Sequence, residues 1–298
     1  AHHRQASAVK NIAPLPRTVS LAPTVPADLI RIFSDIHYGD RASGVKRLAQ
    51  LRPLLDGVST LILNGDTLDT RTGPRPQFTA EKRAEVAAFV AACGPKVTLL
   101  TGNHDPDISD RHALELANGH VFVTHGDVLF DDIVPWGHDA ALIRRRMATE
   151  RAQPGAACET LEDRLALWRR VAASIPQQHQ SEPHPLKYAL HFAADTVWPP
   201  LRIFRILRAW RAEPALAAAL ARRHRPKARF ILVGHTHRPR IRRASDGLIA
   251  VNTGSFCLPI GGYAVDLTPG RLAVRKICQR GGEYRPGEIV AEFALAVT

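Results

Sequence analysis

Five short clusters of Asp, Asn and His side chains stand where apolar runs of the sequence end. Each apolar run is typical of a buried β-strand, and most clusters contain a glycine that lets backbone approach closely. Open α/β sheets place their ligands at the carboxyl ends of strands, so the clusters are expected to converge there. The clusters are Ser34-Asp35-Ile36-His37, Asn64-Gly65-Asp66-Thr67-Leu68-Asp69, Thr101-Gly102-Asn103-His104-Asp105, Thr124-His125-Gly126-Asp127 and Val233-Gly234-His235-Thr236-His237.

Carboxylate, amide and imidazole groups are side chains that hold divalent cations. Two such cations about 3.5–4 Å apart need carboxylates to offset their charge, and one carboxylate must bridge them. In Asp35-Ile36-His37 both ligand-type side chains are expected on one face of an extended segment, because alternate residues point the same way. His235-Thr236-His237 repeats that spacing. The residue types and their spacing therefore predict a centre of two divalent metal ions.

Cysteine use limits the chemistry of that centre. The four cysteines lie far apart with no C-x-x-C pair, so the sequence predicts neither a disulfide framework nor a thiolate zinc site. The metals are then expected to be held by nitrogen and oxygen alone, with manganese preferred and iron, zinc or nickel as alternatives. The cysteines are Cys93, Cys158, Cys257 and Cys278.

Short strands and helices alternate in the first half of the chain and position the clusters. Helices are predicted at 43–55 and 79–93, with Ser43 and Thr79 as N-caps. The alternation predicts an α/β fold with βαβ units and a largely parallel sheet. Strands are predicted at 29–33, 60–63, 97–100, 121–124, 230–233, 248–252, 263–267 and 272–277.

The chain is predicted to divide into a leader, a core domain and an insertion. Residues 1–27 hold four prolines and no sustained periodicity, which predicts an irregular leader. Residues 28–298 are predicted to form one domain, interrupted at about 130–226 by an Ala-, Leu- and Arg-rich helical insertion. The net charge of +12 is concentrated near the insertion, because residues 128–229 carry 17 basic and 10 acidic side chains. A basic accessory region beside a chemically different site is therefore expected.

The motifs D-x-H, G-D-x-x-D, G-N-H-D, a lone His and G-H-x-H follow one another between Asp35 and His237. This ordered set resembles the calcineurin-like metallophosphoesterase superfamily. The resemblance implies a four-layer fold, a two-sheet β-sandwich flanked by helices. It also implies an enzyme that hydrolyses phosphoric esters or anhydrides with two divalent metal ions. A water that bridges the metals would be the nucleophile on a phosphate-containing substrate.

The resemblance also implies a role for each motif residue. Asp66 would bridge the metals, and His104 would act on the phosphoryl group as a cation or general acid, with Asp105 orienting its ring. Arg238 directly follows the last ligand pair and is expected to bind substrate oxygens. Asp69 is either a turn residue or a residue that supports the ligands. The first metal would be held by Asp35, His37, Asp66 and His237, and the second by Asp66, Asn103, His125 and His235.

Within the superfamily the chain looks most like the branch related to the bacterial UDP-diacylglucosamine pyrophosphatase. The likeness rests on His125-Gly126-Asp127, on the insertion that follows it and on residues 234–239. The chain departs from that branch at His104, where the lipid A enzyme carries Arg and general phosphoesterases carry His. A nucleotide-lipid or other membrane-associated substrate is one expectation. Hydrolysis of nucleic acid or of cyclic nucleotides is the alternative, and a catalytically silent binding scaffold is a more remote one.

Residues 201–211 form a basic amphipathic segment, with Arg202, Arg205 and Arg208 at a spacing of three among apolar side chains. Such a helix either packs on the core with its basic side in solvent or lies on an anionic membrane, where each arginine contributes about 1 kcal/mol. Nucleic acid is a less favoured partner, since no nucleic-acid-binding motif accompanies the segment. No apolar run reaches the roughly 18 residues of a membrane span. The expected location is the cytoplasm, at most peripheral to the inner face of the membrane.

Overall fold

The computed structural model describes residues 28–153, 159–177, 201–257 and 259–295. Their strands form two mixed sheets, and helices flank both sheets. The predicted leader at 1–27, part of the predicted insertion and Cys158 lie outside the described residues. Among the described helices, none combines the length and apolar character needed to cross a membrane.

Strands and helices alternate up to the second sheet, and a run of strands ends the chain. The strands are β1 (Ile30–Phe33), β2 (Thr60–Asn64), β3 (Lys96–Leu100), β4 (Ala113–Leu116), β5 (Val121–Thr124), β6 (Phe230–Val233), β7 (Arg240–Arg243), β8 (Ile249–Asn252), β9 (Tyr263–Thr268), β10 (Arg271–Arg280) and β11 (Glu283–Ala294). The α-helices are α1 (Pro76–Ala92), α2 (Ala140–Arg151), α3 (Leu161–Ala173) and α4 (Leu201–His224), and 3-10 helices occupy Leu48–Leu54 and Asp127–Leu129.

Parallel pairing is confined to one end of the first sheet and to the centre of the second. The first sheet has the order β11-β10-β9-β1-β2-β3, in which only the pairs β1–β2 and β2–β3 are parallel. The second has the order β4-β5-β6-β8-β7, in which β6 runs parallel to β5 and β8 and the outer pairs are antiparallel. The prediction of a largely parallel sheet is therefore wrong. Short turns rather than helices connect the last strands, and such connections join antiparallel neighbours.

Both sheets are covered on two faces, which explains why their central strands are continuously apolar. In β1, Ile32 packs between the sheets, whereas Phe33 packs with the layer that contains α1 and the first 3-10 helix. In β5, Val121 and Val123 lie between the sheets, whereas Phe122 packs with α2, α3 and α4. The layers are thus helix, sheet, sheet and helix, as the family resemblance implies. The five polar clusters follow β1, β2, β3, β5 and β6 directly.

Two of the predicted helices differ from those observed. The segment 43–55 contains only the 3-10 helix Leu48–Leu54, and Ser43 is not its cap. The Ser43 hydroxyl instead donates to the Ile36 carbonyl at 2.6 Å and fixes the loop after β1. Helix α1 begins at Pro76 rather than after Thr79, because the fixed φ of proline suits the first helical position.

The strands β4, β7 and β11 were not predicted because none has a continuous apolar run. All three lie at sheet edges and are largely half-exposed or exposed. Pro286 within β11 also argues against a strand, yet an edge strand tolerates proline because no further neighbour needs its N–H. Between β5 and β6 the described residues contain α2, α3 and α4 and no strand, in keeping with a helical insertion. The domain boundaries themselves stay a prediction.

Candidate metal centre

The loops after β1, β2 and β6 have an unusual backbone. Asp35, His37 and Asp66 have φ angles of 55°, 49° and 52°, and His235 and His237 have φ angles of 67° and 59°. This left-handed region costs a non-glycine residue about 1–3 kcal/mol, and such residues concentrate at functional sites. The expectation of an extended D-x-H segment is wrong, because β1 ends two residues before Asp35. Left-handed turns, rather than strand geometry, bring these side chains together.

Two motif glycines allow the loops to touch. A Cβ atom on Gly102 would overlap the carboxylate of Asp66. A Cβ atom on Gly234 would overlap the carboxylate of Asp35. Any larger residue at either position would push apart two loops whose carboxylates must meet. These glycines therefore set the spacing of the cluster.

Four predicted ligands meet at one end of the cluster. His237 Nε2 lies 3.2 Å from Asp35 Oδ1, and His37 Nε2 lies 3.0 Å from His237 Nε2. His37 Nε2 is also 3.7 Å from Asp66 Oδ2. These are the four residues that the resemblance assigns to the first metal, namely Asp35, His37, Asp66 and His237.

The other end of the cluster contains His125 and His235 beside the same Asp66. His125 Nε2 lies 3.2 Å from Asp66 Oδ2, and the ligand atoms of all three residues lie within 4.8 Å of one another. His125 Nε2 and Asn103 Oδ1 are buried and have no hydrogen-bond partner. Buried polar atoms without partners are rare and costly, and a cation would satisfy both of these. The donor set therefore fits a divalent cation at this end as well.

Hydrogen bonds to main-chain carbonyls orient the two imidazoles at this end. His125 Nδ1 lies 2.9 Å from the Asn64 carbonyl oxygen, and His235 Nε2 lies 2.8 Å from the Ile133 carbonyl oxygen. A ring nitrogen that faces a carbonyl must carry the proton. His125 Nε2 and His235 Nδ1 are left with the lone pairs that can bind a metal.

Carboxylates and burial control the protonation of the cluster. Burial lowers the pKa of His37, but Asp35 and Asp66 outweigh this and raise the pKa to about 9. Burial also acts to raise the pKa of Asp66, but the imidazoles around it, His125 first, hold that pKa well below its usual range. Burial and the charge of His125 lower the pKa of His235 to about 3. Protons on imidazoles thus balance the carboxylates, and divalent cations would replace those protons.

The ring of His104 stands beside the cluster. It packs edge-on against His37, with ring centroids 5.0 Å apart, and one ring nitrogen lies within 4.8 Å of the ligand atoms of His37 and Asp66. Its Nδ1 atom lies 3.0 Å from Asp69 Oδ2 and 2.8 Å from Arg71 Nη2. Burial and the charge of Arg71 lower the pKa of His104. The position suits a group that acts on a bound phosphoryl group.

Asp105 does not orient the His104 ring, and that expectation is wrong. Its carboxylate instead accepts backbone N–H bonds from Asp66 at 2.9 Å, from Thr67 at 2.7 Å and from Gly102 at 2.7 Å. Asp105 therefore joins the loop after β2 to the loop after β3. Burial and the nearby charge of Asp66 raise the pKa of Asp105 to about 7.

The comparison with family models decides the class of the protein. The model of the calcineurin-like phosphoesterases matches residues 29–239, which is more than half of the chain. The chain belongs to this family. It is an enzyme, a metal-dependent phosphoester hydrolase, and the family implies two divalent metal ions. Membership of this enzyme family argues against a catalytically silent binding scaffold.

The chain is also similar to several solved structures, all at low identity. A dimetal phosphatase from Danio rerio is 13% identical and is matched over 92% of this chain and 100% of that chain, with a TM-score of 0.46. The vacuolar protein sorting 29 protein of Cryptosporidium parvum is 12% identical over 91% and 100%, with a TM-score of 0.43. A cold-active protein-tyrosine phosphatase of a Shewanella species is 15% identical over 88% and 80%, with a TM-score of 0.37. No curated protein matches the chain.

Three further residues lie near the phosphoesterase centre, and of these only Asp69 was anticipated, with support of the ligands as one of its two predicted roles. Asp69 and Arg71 hold the His104 ring, and of these only Asp69 belongs to a motif, as the second Asp of G-D-x-x-D. The third is Cys257, whose Sγ lies within 4.8 Å of the ligand nitrogens of His37 and His237. Neither Arg71 nor Cys257 belongs to a motif: Arg71 lies two residues after Asp69, and Cys257 lies in the segment that follows β8.

A cavity of about 370 Å³ opens beside the ligand cluster of the phosphoesterase. Arg71 and Arg202 line it, whereas the predicted substrate ligand Arg238 lies exposed, its guanidinium 4.9 Å from the centroid of the Trp210 ring. The role of Arg238 stays a prediction. The polar lining includes Asp66, Asn103, His104, His235 and His237, and the apolar lining includes Val134, Trp136, Ile143, Ile175, Ile206, Trp210 and Ile260.

Proposed function

We propose that this phosphoesterase hydrolyses a phosphoric ester or anhydride that carries an apolar group, such as a nucleotide-lipid or another membrane-associated substrate. The observation that carries the proposal is the cavity beside the ligand cluster, whose apolar lining includes Trp136, Ile206 and Trp210. Removing apolar surface from water contributes about 25 cal/mol per Å² of favourable free energy. A purely polar phosphate ester would leave that lining in water, whereas an apolar substituent would cover it.

The ligand assignment that we propose divides the cluster at Asp66. When bound, two divalent cations supply positive charge to phosphate oxygens and lower the pKa of a water molecule. Manganese is the proposed metal from the nitrogen and oxygen ligands, and iron, zinc and nickel are the alternatives. The first site comprises Asp35, His37, Asp66 and His237, and the second comprises Asp66, Asn103, His125 and His235.

His104 is proposed to donate a proton toward the phosphoryl group or its leaving group. Its Nδ1 atom lies 2.8 Å from Arg71 Nη2, which can only donate. If Nδ1 accepts that bond, the ring proton is on Nε2, the nitrogen that remains for the substrate. Asp69 anchors the arginine through a 2.7 Å contact and so holds this arrangement in place. Nδ1 also lies 3.0 Å from Asp69 Oδ2, which can only accept, so in the protonated ring Nδ1–H would donate to Asp69 and Nε2 would again carry a proton toward the substrate.

Arginines in the cavity are proposed to hold the phosphate oxygens. The side chain of Arg71 is 9% exposed and its guanidinium is paired with Asp69, so it is a fixed charge beside the centre. Arg202 lines the same cavity from α4, with Nη1 2.8 Å from His138 Nε2. Planar guanidinium groups bind phosphate through two parallel hydrogen bonds. Arg238 on Trp210 is proposed to act farther out, at the exposed edge of the site.

The first two turns of α4 support a peripheral contact with an anionic membrane. Leu201 is 62% exposed and Phe204 is 68% exposed, and Ile203 and Leu207 are exposed as well. Arg205 lies among them and is also exposed. Apolar side chains interleaved with arginine are typical of helices that lie in the membrane interface. Ile206 and Trp210 of the same helix line the cavity, so a membrane on this helix would lie next to the active site.

The experiment that tests the proposal compares substrates on one preparation. The chain is stripped of metal, reloaded with Mn²⁺ and assayed with a short-chain alkyl phosphate, a long-chain alkyl phosphate, a cyclic nucleotide, an oligonucleotide and a nucleoside-diphosphate-lipid. We expect kcat/KM to rise with the length of the apolar substituent. Replacing Ile206 by Ala should reduce this gain and leave the short-chain rate nearly unchanged. The proposal is contradicted if a cyclic nucleotide or an oligonucleotide is the best substrate, or if chain length has no effect.

A further inference from the structure

Cys257 lies next to the ligands of the metal centre, although it belongs to none of the sequence motifs. It follows the turn after β8, and its backbone N–H donates to Ser255 Oγ at 3.0 Å. A β-bridge pairs it with Ser43 in the loop after β1. These contacts hold the cysteine between the loops that present the first-metal ligands. Its Sγ lies within 4.8 Å of a ligand nitrogen of His37 and of His237, and those two nitrogens lie 3.0 Å from each other.

We propose that the Cys257 thiolate is a further ligand of the first metal, beside His37 and His237. Zinc–sulfur and zinc–nitrogen bonds are about 2.3 Å and 2.0–2.1 Å long, so ligand atoms around a tetrahedral ion lie roughly 3.3–3.6 Å apart. The ligand nitrogens of His37 and His237 are already 3.0 Å apart, and Sγ would have to move by no more than about 1.3 Å to reach that spacing. The inference rests on the proposed assignment of the first metal and adds a sulfur to a site built otherwise from nitrogen and oxygen.

The surroundings of another cysteine show what an ordinary thiol looks like in this fold. Cys93 Sγ lies 3.4 Å from the Val90 carbonyl oxygen and 3.8 Å from the Pro95 carbonyl oxygen, as expected of a packed thiol. Neither Cys93 nor Cys278 belongs to a group of potential metal ligands within the described parts of the chain. Cys257 is the described cysteine that does. Cys93 and Cys278 are accordingly matched controls.

A thiolate at the first site would change which metal the site prefers. Sulfur is a soft ligand that favours zinc or iron over manganese, whereas carboxylate oxygens suit manganese. Metal binding would convert the Cys257 thiol to the thiolate and release its proton to solvent. The two sites would then differ in the metal that each prefers. The first, with sulfur, is expected to prefer zinc or iron, and the second, with nitrogen and oxygen only, is expected to accept manganese.

Cobalt substitution tests this without an activity assay. Co²⁺ bound by thiolate gives a near-ultraviolet charge-transfer band, which nitrogen and oxygen ligands do not give. We expect the wild-type chain loaded with two Co²⁺ to show the band, the Cys257→Ser variant to lack it, and the Cys93→Ser, Cys158→Ser and Cys278→Ser variants to keep it. A wild-type chain that holds two Co²⁺ without the band would overturn the inference and leave the phosphoesterase assignment intact. Failure to bind two ions at all would instead count against the two-metal assignment.

Two further measurements test the inference even if the Cys257→Ser variant fails to fold. Alkylation of the wild-type thiols, mapped by peptide mass, should be blocked at Cys257 by Zn²⁺ and unchanged at Cys278. Equal alkylation of Cys257 with and without Zn²⁺ would overturn the inference. In the Cys257→Ala variant the affinity of the first site for Zn²⁺ relative to Mn²⁺ should fall roughly 10–100-fold. Removing a group that only hydrogen-bonds to a metal ligand has an effect of this size, so removing a ligand should have at least the same effect. An unchanged ratio would contradict a sulfur ligand.

Discussion

The strand-end loops bury polar and charged side chains, whereas the helical insertion exposes apolar ones. In the loops, Asp35 and His125 are wholly buried, and His125 Nε2 has no hydrogen-bond partner. In the insertion, Phe204 at the start of α4 is 68% exposed. Buried charge and exposed apolar surface both cost free energy unless something compensates. We infer that each region needs a partner outside the chain: the loops need the cations that the family implies, and the helix, under the proposed function, needs an apolar surface.

The largest effect is expected from Asp66, which contacts both ends of the cluster. Asp66→Asn removes a negative charge from the centre, so the affinity for both ions should fall by more than about 100-fold and turnover should be nearly abolished. Metal analysis after dialysis measures this. The matched control is Asp266→Asn, because Asp266 is also buried but pairs with Arg31 at 2.6 Å in the first sheet. Two ions held tightly by the Asp66→Asn variant would contradict the bridging role.

The next effect concerns His104, which we place in catalysis rather than in metal binding. His104→Ala should keep both metals and lose about 10²–10⁴-fold in kcat, the usual scale for general acid catalysis. The loss should be larger for an alkyl ester than for an aryl ester, because an alkoxide needs a proton more. Equal losses on both esters would leave His104 as an electrostatic group only, and loss of a metal would make it a ligand.

Substitutions at Asp69 and Asp105 should have different effects, because Asp69 holds the His104 ring in place whereas Asp105 joins two loops. Asp69→Asn frees Arg71 and the His104 ring, so we expect kcat to fall about 10–100-fold with the thermal stability nearly unchanged. Asp105→Asn replaces one of the two carboxylate oxygens that accept these backbone N–H groups by an NH2 donor, so it leaves at least one N–H without an acceptor and should lower the melting temperature instead. Rescue of activity by Asp69→Glu would support positioning. Loss of kcat in Asp105→Asn at native stability would contradict the assignment of Asp105 to joining the two loops.

The motifs predicted the composition of the centre but not its backbone or its supporting side chains. Residue types at strand ends depend on local sequence, which is why Asp35, Asp66 and His125 could be assigned from it. The left-handed turns could not, because they are imposed by contacts between loops. Cys257 was missed because tertiary packing brings the segment after β8 to the site, and Arg71 was missed because it lies just beyond the G-D-x-x-D motif. The parallel strands of both sheets followed from apolar runs, whereas the exposed edge strands β4, β7 and β11 had no such run.

A buried glutamate of the insertion gives a pH-dependent prediction. Glu213 on α4 contacts Thr236 and Asn252 beneath the last ligand loop, and burial raises its pKa from 4.5 to about 7. Between pH 4.5 and 7 the folded chain keeps this proton and the unfolded chain loses it, so stability from this group falls as pH rises. We expect a contribution on the order of 2–3 kcal/mol across that window.

Denaturant titrations of the metal-free chain at pH 5 and pH 7 measure the Glu213 effect. The wild type should lose more stability between the two pH values than the Glu213→Gln variant does. The difference between the two chains isolates Glu213, because Asp105 and Asp127 titrate in both. Identical pH dependence in the two chains would show that Glu213 is ionised in the folded protein at pH 5.

The smallest effect on catalysis is expected from the exposed arginines of α4. Arg205→Glu with Arg208→Glu should weaken binding to anionic vesicles at least tenfold, because each nearby arginine contributes about 1 kcal/mol. Activity on a short aryl phosphate should stay unchanged. Arg202 is left intact because it lines the cavity. The control reverses the same charge on the exposed strand β7, at Arg242 and Arg243. Equal vesicle binding by both double variants would contradict the membrane contact.

The function assigned to this chain requires two cations at the point where the carboxylates and imidazoles converge. The direct measurement is a crystal structure of the manganese-loaded chain with anomalous scattering recorded at the manganese edge. We predict two peaks about 3.5–4 Å apart, with Asp66 between them, one peak next to Asp35 and His237 and the other next to His125 and His235. A single peak, or two peaks that do not share Asp66, would contradict the account.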